Sequence, residues 1–230
     1  FGATSFVGEI LCRYLVKRHS TDGDLAWAIA GRNEAKLAAV AETTGADVAR
    51  IVADAGDADA MAELAESTRL VISTVGPYAL YGSELVAALA AAGTDSVDLT
   101  GEPQWMQRMI DTHSTTAEAN GARIVHTCGF DSIPSDLGVW FTQGQASARF
   151  DEPCTTIAMR VKAMKGGASG GTIASMINVV DETKADPELR TTLGNPYALA
   201  PEGMRSGPRQ PSVMRPTKDI VSGEWVGPFV

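Results

Sequence analysis

Apolar, strand-like runs near residues 25–30, 48–53, 70–75, 95–99 and 123–127 alternate without interruption with stretches whose apolar residues recur at helical spacing. The first helical stretch covers residues 6–19, with Ile10, Leu11, Tyr14 and Leu15 on one face. Asn33 caps a second helix carrying Leu37 and Val40, and Asp57 opens a third that runs through Leu64. Residues 85–92 and 103–119 supply two more, the former rich in alanine and able to lie close on a sheet. Strand and helix in strict alternation predict an α/β fold, a doubly wound Rossmann-type parallel sheet.

Before the first helix stands Phe1-Gly-Ala-Thr-Ser-Phe-Val-Gly8. Gly2 and Gly8 take the outer positions of a glycine-rich turn between a strand and its helix, and Ser5 holds the middle one. Such a turn needs glycine for tightness, for close approach of backbone to a pyrophosphate, and for helix-on-strand packing. Gly2, Thr4, Ser5, Phe6, Val7 and Gly8 are therefore candidate cofactor contacts, with the Ser5 hydroxyl able to donate to a phosphate oxygen. Of the central first strand only Phe1 would remain, so the expectation is that further residues precede it. The last residues, Glu224-Trp-Val-Gly-Pro-Phe-Val230, stop in an apolar segment without a terminating signal.

Composition narrows the partners. A net charge of −9 with no concentrated basic face argues against a nucleic-acid partner. Cys12, Cys128 and Cys154 form no C-x-x-C pair, which fits a reducing cytoplasm better than a disulfide framework or a zinc site. His19, His113 and His126 lack metal-ligand spacing. Residues 70–93 hold one charged side chain, Glu84, yet Gly76-Pro77 and Gly82 break the run, so it reads as buried core rather than a membrane span.

The strand ends name the remaining candidates. An acidic residue at the end of the second strand would bond the adenosine 2′-hydroxyl of NAD. Here Ala30-Gly-Arg-Asn33 offers Arg32, with Lys36 one turn on, and a guanidinium there can stack on adenine and pair with a 2′-phosphate. The expected cofactor is NADP(H), with NAD(H) less favoured. Asp54 either accepts from the adenine amino group or caps the next helix. Gly76 would let backbone approach the cofactor and Pro77 would stiffen that loop. Tyr78 and Tyr81 are candidate acids, orienting groups or packing residues. Glu102, Asp131 and Asp136 are candidates for catalysis, with helix capping the alternative for Ser135 and Asp136. Cys128 reads as a buried small residue, with His126 on the other side of the strand or deeper. No tyrosine is followed four residues later by lysine, which disfavours a short-chain reductase.

Near Gly144 the pattern changes. Residues 1–145 form the nucleotide-binding domain in this reading, and residues 146–230 begin a truncated substrate domain. Residues 155–163 alternate with period two, as a half-buried strand would. The run 166–172 resembles a phosphate cradle at a helix start but lacks the Gly-Lys-Ser/Thr ending of a nucleotide-hydrolase loop. Binding an anionic substrate end and packing on the first domain both remain open for it. A helix follows from residue 173 to 182, and from 186 onward loops dominate.

Gly2-Ala-Thr-Ser-Phe-Val-Gly8, Ala30-Gly-Arg-Asn33, Thr74-Val-Gly-Pro-Tyr-Ala-Leu-Tyr-Gly82, Val97-Asp-Leu-Thr-Gly-Glu102 and Cys128-Gly-Phe-Asp-Ser-Ile-Pro-Ser-Asp-Leu-Gly138 together resemble the saccharopine dehydrogenase-like oxidoreductases. The likeness is greatest to the bacterial trans-acting enoyl reductase subfamily. The resemblance implies an NADP-type Rossmann domain followed by a mixed α/β domain. It implies reduction of a carbon-carbon double bond in a polyketide-type, small-molecule or carrier-bound acyl substrate during lipid synthesis. The wider family acts on amino-acid adducts such as saccharopine, and a non-catalytic NADP(H) sensor is a third reading. The expected location is the cytoplasm, with peripheral attachment at the inner face of the plasma membrane and a homodimer both left open.

Overall fold

A computed structural model describes residues 1–163, 165, 167, 169–201, 203–210 and 215–227. After a turn at residues 2–5, α1 (Phe6–His19) leads to β1 (Ala28–Gly31), α2 (Glu34–Thr44), β2 (Ala49–Val52), α3 (Ala58–Glu66) and β3 (Leu70–Ser73). A single turn, α4 (Tyr78–Tyr81), precedes α5 (Ser83–Ala92), β4 (Asp95–Asp98), α6 (Pro103–Asn120) and β5 (Ile124–Val125). The remaining elements are α7 (Ile133–Phe150), α8 (Gly170–Ala185), α9 (Leu189–Gly194), β6 (Thr217–Lys218) and β7 (Trp225–Val226).

All pairings among β1 to β5 are parallel, with Ala28 beside Ala49, Leu70 beside Asp95 and Ser96 beside Ile124. Phe1 and Gly2 join the two halves. The Phe1 nitrogen donates to the Ile72 carbonyl at 2.7 Å, Thr74 N–H donates to the Phe1 carbonyl at 2.9 Å, and Gly2 N–H donates to the Ala30 carbonyl at 2.9 Å. The spatial order is therefore β2, β1, residues 1–2, β3, β4, β5, with the first two residues in the central place of a doubly wound sheet. Each parallel step needs a crossover, and helices supply it on both faces.

The periodicity of the helices explains their burial. Ile29, Leu37, Val40, Cys12 and Ala3 pack α1 and α2 on one face. Met61, Leu64, Ala65, Val71, Leu85 and Leu89 pack α3 and α5 on the other. A third cluster, Tyr78, Val86, Trp105, Met106 and Met109, lies under the carboxyl ends of β3 and β4. Helix starts follow the capping chemistry expected: Asn33 accepts from Lys36 N–H, and Asp57 accepts from Asp59 and Ala60 N–H.

Three expectations concern the second half of the chain, and the first of them changes. The strand expected at 155–163 is not formed among the described residues, because a period-two pattern reports a face and not a partner, and no neighbouring ladder meets it. The change of pattern near Gly144 falls inside α7, which runs unbroken across residue 145 and ends at Asp151, whose φ is 57°. Of the run 166–172, Gly166 and Ala168 lie outside the described residues. The described part forms the start of α8, where Ser169 accepts from Thr172 N–H at 3.2 Å.

Candidate functional site

The glycine turn sits where the sheet divides. Gly2 has φ +86°, and a β-carbon there would come within 2.7 Å of Thr74 Oγ1. A β-carbon on Gly8 would lie 2.3 Å from the Gly2 carbonyl oxygen, so α1 presses directly on the turn. Gly2 is thus required by space and by conformation, and Gly8, inside α1, by space alone. The N–H groups of Thr4, Phe6 and Val7 find no acceptor among the described residues, and Thr4 and Phe6 are exposed. Free donors at the start of a 14-residue helix are the groups that anions are drawn to in general.

Ser5 has a different role from the one expected. Its Oγ accepts from Gly8 N–H at 3.0 Å, capping α1, and lies 2.9 Å from Thr74 Oγ1. Thr74 Oγ1 itself donates to the Gly2 carbonyl at 2.9 Å, which leaves the Ser5 proton for Thr74. The hydroxyl is therefore engaged in holding the turn to the end of β3.

Beyond β1, Arg32 and Lys36 are exposed and make no ion pair among the described residues. The nearest carboxylate in sequence, Glu34, is drawn away by Arg50, whose Nε donates to it at 2.8 Å. Both conditions suit an anion at that corner. Asp54 accepts from Gly56 N–H at 3.0 Å in a local turn, while Asp57 caps α3; the capping alternative for Asp54 is corrected.

The loop after β3 is anchored from below. Glu102 is 1% exposed. Its Oε1 accepts from Tyr78 N–H and Ser175 Oγ, both at 2.8 Å, and its Oε2 accepts from Ala79 N–H at 2.9 Å. The carboxylate thus holds the free N–H groups of α4, and with them the turn at Gly76 and Pro77, to the start of α6 and to α8. Tyr78 is buried. Its hydroxyl donates to the Ser73 carbonyl at 3.1 Å and accepts from Leu99 N–H at 3.4 Å, bridging the ends of β3 and β4. Burial pushes the phenol well above its ordinary range. Tyr78 and Glu102 are therefore committed to protein partners, while Asp131 is exposed in the loop before α7.

Two residues that the sequence reading left without a role face each other at the same edge. Asp98 ends β4 and His126 follows β5, and the register that sets Val97 beside Val125 carries the next pair together. His126 Nδ1 lies 2.6 Å from Asp98 Oδ2, and Asp98 Oδ1 accepts from Thr100 and Thr127 N–H at 3.0 and 3.1 Å. The imidazole edge meets Trp105, with ring centroids 5.1 Å apart. The sequence placed both residues at strand ends, but their pairing needs the register of the folded sheet. Cys128 is half-buried, its thiol pushed up first by burial and then by the Asp98 charge, so it is no ready nucleophile.

The N-terminus of α7 has Ser132 at its cap position with no side-chain hydrogen bond, so Ser135 and Asp136 lie inside its first turn and neither caps it. No cluster of potential metal ligands occurs among the described residues, and no described helix is long and apolar enough to cross a membrane.

Residues 1–125 match the saccharopine dehydrogenase NADP binding domain. A Mycobacterium tuberculosis protein provisionally named a trans-acting enoyl reductase is 43% identical over 205 residues, covering 88% of this chain and 48% of its own length. The trans-acting enoyl reductase of Mycobacterium ulcerans is 36% identical over 241 residues, covering 100% of this chain and 57% of its own. The chain spans about half the length of the curated relatives it matches. Saccharopine dehydrogenase (L-Glu forming) from Saccharomyces cerevisiae aligns with 60% of this chain and 29% of its own at 18% identity, with a TM-score of 0.45. By its sequence match over residues 1–125, the chain belongs to the saccharopine dehydrogenase family and carries that family's NADP-binding domain.

Proposed function

We propose that the protein is an NADPH-dependent reductase of an activated carbon-carbon double bond in an acyl substrate, free or carrier-bound. The observation that carries the coenzyme choice is Arg32, exposed and without an ion pair among the described residues, beside a turn with unpaired N–H donors. The names of the relatives support the reaction class.

The N–H groups of Thr4, Phe6 and Val7 would hold the pyrophosphate, and Arg32 with Lys36 would hold the 2′-phosphate. Asp54 keeps one carboxylate oxygen for the adenine amino group. Gly76 and Pro77 would shape the wall beside the nicotinamide, which supplies hydride when bound. Glu102 and Tyr78 fix that wall from inside the protein and act as positioning residues. Asp131, the exposed member of the proposed catalytic set, faces solvent in the loop before α7.

The test is consumption of NADPH in the presence of a dodecenoyl N-acetylcysteamine thioester unsaturated between its α- and β-carbons. Turnover that yields the saturated thioester is expected. Tight NADPH binding without turnover of that thioester would contradict the reductase reading.

A further inference from the structure

Reducing a conjugated double bond requires a proton as well as a hydride, and neither Tyr78 nor Glu102 is placed to deliver one. Resting on the reductase reading above, we propose that His126, oriented by Asp98, is the catalytic proton donor and that the cavity it lines receives the acyl chain.

The geometry has three parts. First, the Asp98 carboxylate already accepts two backbone N–H bonds at Oδ1, so it is the acceptor toward His126 and Nδ1 carries the proton in that contact. A buried carboxylate on Nδ1 fixes both tautomer and ring orientation, which is how a histidine is prepared for proton transfer at its other nitrogen. Second, the His126 side chain is only 10% exposed, and Nε2 has no hydrogen-bond partner among the described residues. A purely structural clasp between β4 and β5 would need Nδ1 alone. Third, His126 lines a cavity of about 650 Å³ between α6 and β5, together with Val86, Met106, Met109, Ile110 and Leu199. Its volume lies within the range of ligand pockets; the apolar residues offer an alkyl chain a wall beside His126, while Ser114, Glu118 and Arg123 add polar groups to the same lining.

The step balances with NADPH as reductant. Hydride forms a C–H bond at the β-carbon, the π bond breaks, and its electron pair moves through the α-carbon onto the thioester oxygen. A nicotinamide C–H bond of NADPH breaks to supply that hydride; the Nε2–H bond of protonated His126 then breaks, its proton forms the α C–H bond as the electron pair returns, and His126 is reprotonated by the one solvent proton that the overall reaction consumes. NADP⁺ and the saturated thioester leave.

The test uses the whole chain and two readouts. In heteronuclear NMR without coenzyme, the same dodecenoyl thioester is expected to shift the His126 Nε2 signal while Nδ1 stays bonded to Asp98. In steady-state assays, His126→Gln is expected to lower kcat by about a hundredfold or more, with the NADPH dissociation constant unchanged within about twofold. Ile110→Trp, which narrows the cavity at its rim, is expected to raise the KM for the thioester and leave that for NADPH unaltered. An Nε2 signal that stays put at saturating thioester, or a folded His126→Gln protein with the parent kcat, overturns the proposal. Should the parent bind NADPH without turnover, the reductase reading fails by itself. The NMR arm then decides whether His126 faces an acyl ligand, and an unmoved signal overturns that too. Should His126→Gln fail to fold, the NMR shift and the Ile110→Trp thioester KM decide, and loss of both effects overturns the assignment.

Discussion

Glu102→Ala is expected to lower the stability of the protein by about 3–5 kcal/mol, equivalent to a fall in Tm of roughly 10 °C. The carboxylate serves two backbone N–H groups and the Ser175 hydroxyl from a position 1% exposed, and alanine leaves all three without an acceptor. An unpaired buried donor costs about 1–3 kcal/mol, so the two amides alone account for most of the effect. Thermal unfolding followed by circular dichroism reads the change. Glu102→Gln should recover part of it, since its carbonyl can serve one amide while its own N–H₂ confronts the other. A loss under about 1 kcal/mol in the alanine variant would show that the loop at Gly76 and Pro77 does not depend on this anchor.

Gly8→Ala should be nearly as damaging, and it should act on the nucleotide site directly. The added carbon would lie 2.3 Å from the Gly2 carbonyl oxygen and 2.8 Å from two backbone atoms of Ala3. None of these is a flexible side-chain end. The turn is pinned by Gly2 and Ala3 N–H to the Ala30 carbonyl, so α1 must move instead. Overpacking of this kind costs about 1–3 kcal/mol, and NADPH affinity is expected to fall by about tenfold or more as the donors of Thr4, Phe6 and Val7 are displaced. Gly138→Ala is the control. It lies within α7 with nothing within 4 Å of its added carbon, so helix propensity predicts a gain of about 0.5–1 kcal/mol. Equal effects from the two substitutions, read by thermal unfolding and by NADPH fluorescence titration, would show that α1 does not press on the turn at Gly8.

Much of the nucleotide-binding half was legible in the sequence because its signals are local. Alternating helical and strand-like periods gave β1 to β5 and their crossovers, and Asn33 and Asp57 announced two helices through their own side chains. Ser5 was visible as a departure from glycine, but its partner Thr74 lies 69 positions away and only the folded sheet brings the two hydroxyls together. The same limit hid the Glu102 contacts with Tyr78, Ala79 and Ser175. Asp98 and His126 occupy neighbouring strand ends, so their meeting depends on register, which the apolar pattern alone does not set. The alternation at 155–163 failed for the reverse reason: it describes a face, while a strand exists only through its neighbour. Arg32 needed no tertiary information to be noticed, but the Arg50 bond that draws Glu34 aside did.

Arg32 is expected to make the site selective for a coenzyme carrying a phosphate on its adenosine ribose. The direct measurement is the ratio of dissociation constants for NADPH and NADH, taken on the parent chain and on Arg32→Asp. A charge-assisted pair is worth about 1.5–3 kcal/mol, so the parent should favour NADPH by about tenfold or more and the aspartate variant should lose that preference. Equal affinity of the parent for both coenzymes, or a preference that survives Arg32→Asp, would contradict it.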